Sequence, residues 1–360
     1  MADTSFLDWP FLEPKHKALH AALEAWASDN LRHVDHDNTD QTCQALVAAL
    51  GAAGILKHTG VNATFPQIDV RSLCLIRETL ARHDGLADFA FAMQGLGTMA
   101  ISLFGSDTQK ADWLPKVQSG AALSAFALSE PQSGSDATSM RCKAVKQDDG
   151  SFVVNGKKSW ITSGPVAKYI VLFAMTDPDQ GARGITAFMV DTDREGFHRG
   201  KTEPKLGIRA SATCEIEFTD YVVKPEEVLG KQGEGFKIAM TVLDAGRIGI
   251  ASQAIGIARA AYEIALDYAH EREAFGMPIF ENQAIAFMLA DMKTEIDASR
   301  LLVWRAAWLA RNGSGYKYAE GSQSKLKAGR TATWVTERAI QILGGYGYTR
   351  EYDVERMHRD

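Results

Sequence analysis

Two short segments carry the residue types that could bind a phosphorylated heterocycle. Residues 126–136 read FALSEPQSGSD, so an apolar run leads into small hydroxyl and glycine residues. Because Gly134 has no Cβ, its backbone N–H can approach an anion closely, and Ser135 adds a hydroxyl donor. Residues 160–163 read WITS, and on one strand Trp160 and Thr162 would share a face, where a planar ring could stack on the indole. Together the segments predict a cofactor site.

Both segments resemble the flavin-binding motifs of the acyl-CoA dehydrogenase family, and GGYGYTRE at residues 344–351 resembles the C-terminal motif of that family. The similarity extends from about Leu12 to Asp360, and KLGIR at residues 205–209 is similar to short-chain members. The resemblance implies FAD as cofactor and an acyl-CoA thioester as substrate. The implied reaction gives the trans-2-enoyl-CoA, and its electrons pass to an electron-transfer flavoprotein, as in fatty acid metabolism.

The hydrophobic pattern divides the chain into three parts, which gives an α+β multidomain fold class. Residues 1–124 are predicted to form a helical N-terminal domain, and residues 86–104 are so apolar that a helix there should be buried on most sides. Residues 125–229 change to a period of two and predict a small antiparallel β-barrel or sandwich. Residues 230–360 return to the helical period and predict a helical bundle.

Specific elements follow from the same patterns. Asn155-Gly156 predicts a tight hairpin turn, since this dipeptide suits a two-residue β-turn between β-prone runs. Further strands are expected at 169–175, 185–190 and 213–223. In the bundle, three long helices are expected to be joined at Pro278 and at Asn312–Gly315, with the third running from about Lys317 to Leu343.

The resemblance also assigns site residues. Those implied to contact FAD from within the chain are Phe126, Leu128, Ser129, Gly134, Ser135, Trp160 and Thr162. Those implied to reach the FAD of a neighbouring subunit are Arg272, Phe275, Gln283, Gln341, Gly344 and Gly345. This second set implies a homo-oligomer, and the family forms a homotetramer.

Substrate contacts are implied for Ser135, Asp244 and Arg247, the last two being placed where the first bundle helix opens. From His83 to Gln109, a region that contributes to the acyl pocket in relatives, there is no Lys or Arg. A buried carboxylate without a cation is very costly, so an uncharged acyl chain is expected. The resemblance implies that this chain is short or medium in length.

The general base is not found at either position that the family uses. In most members it is a glutamate that would lie beyond Asp360, and in a minority it precedes the equivalent of Arg247, where this chain has Gly246. Glu351 is interpreted as a structural residue. Two explanations stand: the sequence is a shortened form of a longer product, which we favour, or the protein binds flavin and acyl-CoA without oxidising efficiently. A flavin oxidase or monooxygenase on the same fold is a further alternative.

Composition excludes other classes of function. The chain has 360 residues and a formal net charge of −6, which gives no reason to expect nucleic acid or an anionic membrane as partner. Its four cysteines are scattered, as in a reducing compartment, and its nine histidines form no ligand-spaced cluster, so no metal site is predicted. The N-terminus resembles neither a signal nor a transit peptide, no run is expected to span a bilayer, and a cytoplasmic location is predicted.

Overall fold

The computed structural model describes residues 3–38, 41–310 and 319–360. Within these ranges the chain folds as helices, then a sheet, then helices again, so the predicted three-part fold class is confirmed. The domain boundaries at residues 124 and 229 remain predictions. The Asn312–Gly315 joint and the predicted start at Lys317 lie outside the described residues.

The described residues of the first part form five α-helices, of which the third, fourth and fifth begin at a side chain that caps the first turn. Asp84, for example, accepts hydrogen bonds from the backbone N–H groups of Leu86 and Ala87 and so satisfies the first turn of α4. The helices are α1 (Pro14–Asn30), α2 (Thr42–Ala52), α3 (Val70–His83), α4 (Gly85–Phe104) and α5 (Asp107–Gln118).

Helix α4 is long and apolar enough to cross a membrane by length and composition, contrary to the expectation that no run would be. However, 72% of its apolar window is buried inside the fold, which matches the predicted burial of residues 86–104. The helix is therefore interpreted as a core helix of this domain.

The second part is an eight-stranded sheet. Its strands are β1 (Ser124–Ala127), β2 (Lys143–Lys146), β3 (Phe152–Thr162), β4 (Tyr169–Met175), β5 (Ile185–Asp191), β6 (Phe197–Thr202), β7 (Thr213–Val223) and β8 (Val228–Leu229). The order is β6-β7-β3-β2-β4-β5-β8, with β1 added beside β4. Most pairings are antiparallel, but β4 pairs with β1 and β2 in parallel, and no pairing joins the outer strands β6 and β8. The described strands thus form a sheet that folds over a common core without the closed ring of a barrel.

The predicted turn at Asn155-Gly156 is wrong. Both residues lie inside β3, where the pairing with β7 shifts register between Val154 and Gly156. A Cβ on Gly156 would lie 2.6 Å from the Cα of Cys142, so the glycine permits a close approach of β2 at this bulge. The chain turns instead before β3, where Gly150 has a φ of 85°.

The third part is built around one long helix. Its helices are α6 (Gly235–Glu271), α7 (Gln283–Ala310), α8 (Glu320–Leu343), α9 (Gly345–Tyr348) and α10 (Val354–Arg359). A small hairpin, β9 (Glu273–Ala274) and β10 (Met277–Pro278), joins α6 to α7 at the predicted Pro278. Helix α6 also packs closely on α3, since a Cβ on Gly256 would lie 2.4 Å from the carbonyl oxygen of Glu78.

Candidate active site

A largely apolar cavity of 420 Å³ lies where the three parts of the chain meet. Helices α3 and α4, strands β1 and β3, and helices α6 and α8 all contribute to its wall. Phe126, Trp160 and Thr162 are among its lining residues, so the structure brings together three of the residues that the sequence assigns to flavin binding.

Trp160 presents its ring to open space. Its side chain is 68% exposed although the neighbouring Ile161 is buried. The backbone φ of Trp160 is 61°, an uncommon value for a bulky residue, and the β3–β7 register shifts between Lys158 and Ile161. The bulge thus turns the indole outward beside Thr162. The backbone strain at Trp160 supports a functional role for this residue.

A buried ion pair ties the segment after β1 to the strand that carries Trp160. Lys158 and Glu130 have side chains that are 0% and 2% exposed, and the Lys158 Nζ lies 2.7 Å from the Glu130 Oε1. The same ammonium donates to the carbonyl of Leu128 at 3.0 Å, and the Ser159 N–H donates to the carbonyl of Ser129 at 2.9 Å. Three contacts therefore hold this segment against β3.

The Glu130 carboxylate is also fixed from the opposite side. It accepts backbone N–H bonds from Arg141 at 2.6 Å and from Cys142 at 3.0 Å. Burial alone would raise the pKa of Glu130, but the Lys158 charge and these hydrogen bonds lower it overall. The carboxylate consequently stays ionised at neutral pH and keeps its bond to Lys158.

The glycine-containing end of the segment lies at the surface. Gly134 and Ser135 are exposed, and a Cβ on Gly134 would meet nothing within 4 Å. Leu128 and Ser129 are half-buried between this end and the cavity. The segment therefore runs from the Phe126 wall of the cavity to open surface, as a site for an extended dinucleotide requires.

Gly246 and Arg247 line the cavity from α6. Arg247 is paired with Asp244, which is exposed. The expectation that Asp244 and Arg247 open the helix is wrong, because α6 begins at Gly235 and they lie in its third and fourth turns. Their charges therefore cannot be attributed to the helix start.

No carboxylate lines the cavity among the described residues. Glu351 lines a different groove and not this cavity. The cavity residues described here consequently include no candidate for the general base.

The second set of predicted flavin contacts is separate from this cavity. Arg272, Gly344 and Gly345 line a groove of 650 Å³ between the ends of α6 and α8. Phe275 forms the turn of the β9–β10 hairpin and is 97% exposed with a φ of 57°. Gln283 and Gln341 are exposed at the ends of α7 and α8.

The cavity wall contains a cation that the sequence argument missed. Arg77 of α3 lines the cavity, although it lies outside the segment from His83 to Gln109. Its guanidinium forms a two-bond pair with buried Asp88, at 2.8 and 2.7 Å. The segment from His83 to Gln109 indeed has no Lys or Arg, but the cavity also receives Arg77, whose charge is already balanced by Asp88.

Two signals in the sequence could have revealed the missed residues. Arg77 falls at helical spacing within the apolar stripe of Leu73, Cys74 and Leu80. Lys158 lies on the core-facing side of β3, the side that also carries buried Phe152 and Val154. A charged residue at a position where the hydrophobic pattern predicts burial indicates a buried ion pair, although the sequence does not identify its partner.

The residues present fit the flavin that the resemblance implies. An exposed indole, a neighbouring Phe126 ring and the Thr162 hydroxyl meet at the cavity, and an open glycine segment leads away from it. A planar ring would cover the apolar surface of Trp160, which otherwise stays in contact with water.

Comparison with family models matches all three parts of the chain. Residues 13–121, 125–221 and 233–360 match the N-terminal, middle and C-terminal domains described as acyl-CoA dehydrogenase. The short-chain specific acyl-CoA dehydrogenase of Megasphaera elsdenii is 44% identical over 293 residues, which cover 81% of this chain and 76% of that protein.

Two solved structures are closely similar. The butyryl-CoA dehydrogenase of Megasphaera elsdenii has a TM-score of 0.89 at 36% identity, with 97% of this chain and 92% of that chain covered. A chain from work on the electron transferring flavoprotein of Acidaminococcus fermentans and flavin-based electron bifurcation has a TM-score of 0.90 at 38% identity, with the same coverage of 97% and 92%.

Proposed function

The chain belongs to the acyl-CoA dehydrogenase family and is an FAD-dependent oxidoreductase, and from this premise we propose that it oxidises a short or medium, uncharged acyl-CoA to the trans-2-enoyl-CoA. The observation that carries the proposal is the shared cavity. Trp160 and Thr162 of β3 line the same largely apolar cavity as Gly246 and Arg247 of α6.

Each part of this arrangement has a task in the reaction. Trp160 and Thr162 orient the flavin ring, and the apolar wall excludes water from the acyl chain. Bound FAD supplies the acceptor for the hydride that leaves the β carbon. The α proton passes to a general base that is not one of the described cavity residues.

The length of the acyl chain is proposed from the relatives and the cavity. Similar proteins include a short-chain specific acyl-CoA dehydrogenase and a butyryl-CoA dehydrogenase. Met93 and Met99 line the cavity from α4 and contribute flexible apolar groups to its wall. We therefore propose a short or medium acyl chain.

We also propose the partners. Electron transfer to an electron-transfer flavoprotein is supported by the similar chain from the Acidaminococcus fermentans work. Assembly of several copies is supported by Phe275, because a large apolar ring that is 97% exposed at a strained turn needs a covering surface, and we propose the homotetramer that the resemblance implies. We propose a cytoplasmic location on composition alone.

Anaerobic titration of the FAD-loaded protein with butanoyl-CoA tests the proposed reaction. We expect loss of the visible band of oxidised flavin and formation of trans-2-butenoyl-CoA, detected by mass spectrometry. Binding of butanoyl-CoA without any enoyl product would support a non-catalytic binding protein instead. Bleaching by a nitroalkane but not by butanoyl-CoA would support the oxidase alternative.

A further inference from the structure

The guanidinium of Arg77 is the polar feature of an otherwise apolar stretch of the cavity wall. Its side chain is 7% exposed, and the cavity residues around it on α3 and α4 include Leu73, Phe91 and Leu96. Apolar pockets with a few fixed polar groups use those groups to orient and select ligands. Arg77 is therefore a candidate for such a group.

One nitrogen of this guanidinium has no hydrogen-bond partner among the described residues. Nε and Nη2 bind Asp88, and Nη2 also binds the Gln253 Oε1 at 3.2 Å. No hydrogen bond from Nη1 to any described residue is present, and Nη1 is not among the enclosed polar atoms that lack a partner. It therefore keeps contact with open space.

The cavity is the open space that Arg77 lines. A Cβ on Gly249, which also lines the cavity, would lie 2.6 Å from Nη1. Any larger residue at this position would displace the guanidinium. The α6 backbone therefore leaves room for this nitrogen at the cavity wall.

The charge of Arg77 is already balanced. Asp88 is fully buried and bonds two guanidinium nitrogens, so the pair has no net charge. A carboxylate on the ligand would have to share the same cation with Asp88, at close range and low dielectric. A neutral oxygen, such as a carbonyl or hydroxyl, would satisfy the free N–H without that repulsion.

Stability alone does not explain why this pair is placed here. Replacing a buried ion pair by packed apolar residues is often neutral or stabilising. By contrast, a site with a free buried donor discriminates strongly against ligands that leave the donor unpaired. The geometry favours a role in selection.

We propose that Arg77 forms an acyl subsite for a neutral oxygen, so that the protein prefers an acyl chain bearing a carbonyl or hydroxyl group to a plain alkyl chain of equal length. This inference rests on the proposed function, in which the acyl chain enters this cavity. Arg247 and Lys325 also line the cavity, but Arg247 is paired with Asp244 and Lys325 is solvent-exposed. Neither cation offers a sheltered free donor.

Non-reactive CoA thioethers separate binding from turnover, since they lack the carbonyl that acidifies the α carbon. The FAD-loaded protein is titrated calorimetrically with S-pentyl-CoA, S-hexyl-CoA and their 4-oxopentyl and 5-oxohexyl counterparts. We expect at least one oxo ligand to bind about tenfold more tightly than the alkyl ligand of the same chain length, or better. A hydrogen bond to a charged group contributes an affinity gain of this size.

The variant Arg77→Leu with Asp88→Leu removes the donor while leaving no unpaired charge. We expect the ratio of oxo to alkyl affinity to fall to about twofold or less in this variant. The alkyl ligands should bind at least as tightly as they bind the wild type. The control is Arg194→Leu with Glu227→Leu, which removes a two-bond pair outside the cavity and should retain the preference.

If the double variant does not retain FAD, Arg77→Lys is used instead. Lysine keeps the charge, but it lacks the planar fork that lets arginine bond Asp88 and a ligand in the cavity at the same time. Loss of the preference in that variant supports the subsite. Equal binding of oxo and alkyl ligands by the wild type, or an unchanged preference in both variants, overturns it. Failure to bind any of the four thioethers counts against the proposed function itself.

Discussion

At the scale of single residues, the site depends on a strained, exposed Trp160 and on the buried pair beside it. The indole lies on a bulge of β3 with a positive φ, and Lys158 two residues earlier anchors the neighbouring segment through Glu130. Neither feature stabilises the sheet in an obvious way. Both are explained if β3 presents a binding surface.

Trp160→Ala removes the proposed stacking surface without opening a cavity, because the ring is mostly exposed. We expect FAD affinity to fall about tenfold, since ring contacts of this kind contribute about 1 kcal/mol beyond buried area. Equilibrium dialysis measures the affinity, and circular dichroism checks the fold. Leu206→Ala, another exposed apolar residue, is the control, and equal affinities in both variants would refute the stacking role.

Lys158→Met leaves the Glu130 carboxylate buried without its cation. We expect destabilisation by about 3–5 kcal/mol, together with loss of FAD. The paired change Lys158→Met with Glu130→Leu should recover most of the stability but not the FAD affinity, because the segment loses its anchor. Urea unfolding and FAD content measure the two effects; full recovery of FAD binding by the paired variant would contradict the anchoring role.

At the scale of elements, the helices and strands whose hydrophobic pattern reflects burial of one face were predicted well. Strand β7 spans Thr213–Val223 as expected, and Cys214, Ile216 and Phe218 are buried in alternation. The apolar run of α4 is buried as expected. These elements follow from local sequence, since one face of each must leave water.

The elements that were missed depend on distant partners. Asn155-Gly156 is a strong turn signal, but Asn155 instead binds Asp220 across the sheet, and Gly156 permits contact with β2. In the same way, the Arg77–Asp88 pair joins α3 to α4 in the middle of an apolar cluster. Sequence patterns report which face is buried and do not report which chain segment covers it.

Glu24 links α1 to α3 and gives this contact a pH dependence. Burial alone would raise the pKa of Glu24, but the His83 hydrogen bond and the Arg82 charge lower it from 4.5 to about 2. Because the folded pKa lies below the unfolded one, the stabilisation is fully present at neutral pH and is lost as pH falls from about 4.5 towards 2.

Glu24→Gln should therefore destabilise the protein by about 2–3 kcal/mol at pH 7, with a smaller difference from the wild type as pH falls below about 4.5. Urea midpoints at pH 7, 5 and 4 measure this trend. Asp8→Asn is the control, because its exposed pair with Lys17 contributes little. A difference that grows as pH falls below about 4.5 would be incompatible with the assigned partners.

At the scale of the whole molecule, the two predicted sets of flavin contacts lie in separate places. Phe126, Trp160 and Thr162 line the cavity, whereas Arg272 and Gly344 line a groove between helix ends. One chain does not bring both sets to a single site. The proposed assembly resolves this separation, because a second copy can supply the distant set.

Phe275→Asp tests that assembly. The ring is almost fully exposed, so the change should leave the fold of one chain intact. We expect smaller species by native mass spectrometry and a lower FAD content, because a charge would be buried in the contact. Leu206→Asp is the control for an added surface charge. An unaltered mass and FAD content in Phe275→Asp would exclude this turn from the interface.

A crystal structure of the FAD-loaded protein with butanoyl-CoA is the most direct test of the central claim, that one cavity receives both the flavin ring and the acyl chain. We predict the flavin ring against Trp160 and Thr162, with the acyl chain between it and the α6 residues Gly246 and Arg247. A structure in which the acyl chain or the flavin ring binds elsewhere, while this cavity stays filled with water, would contradict the account.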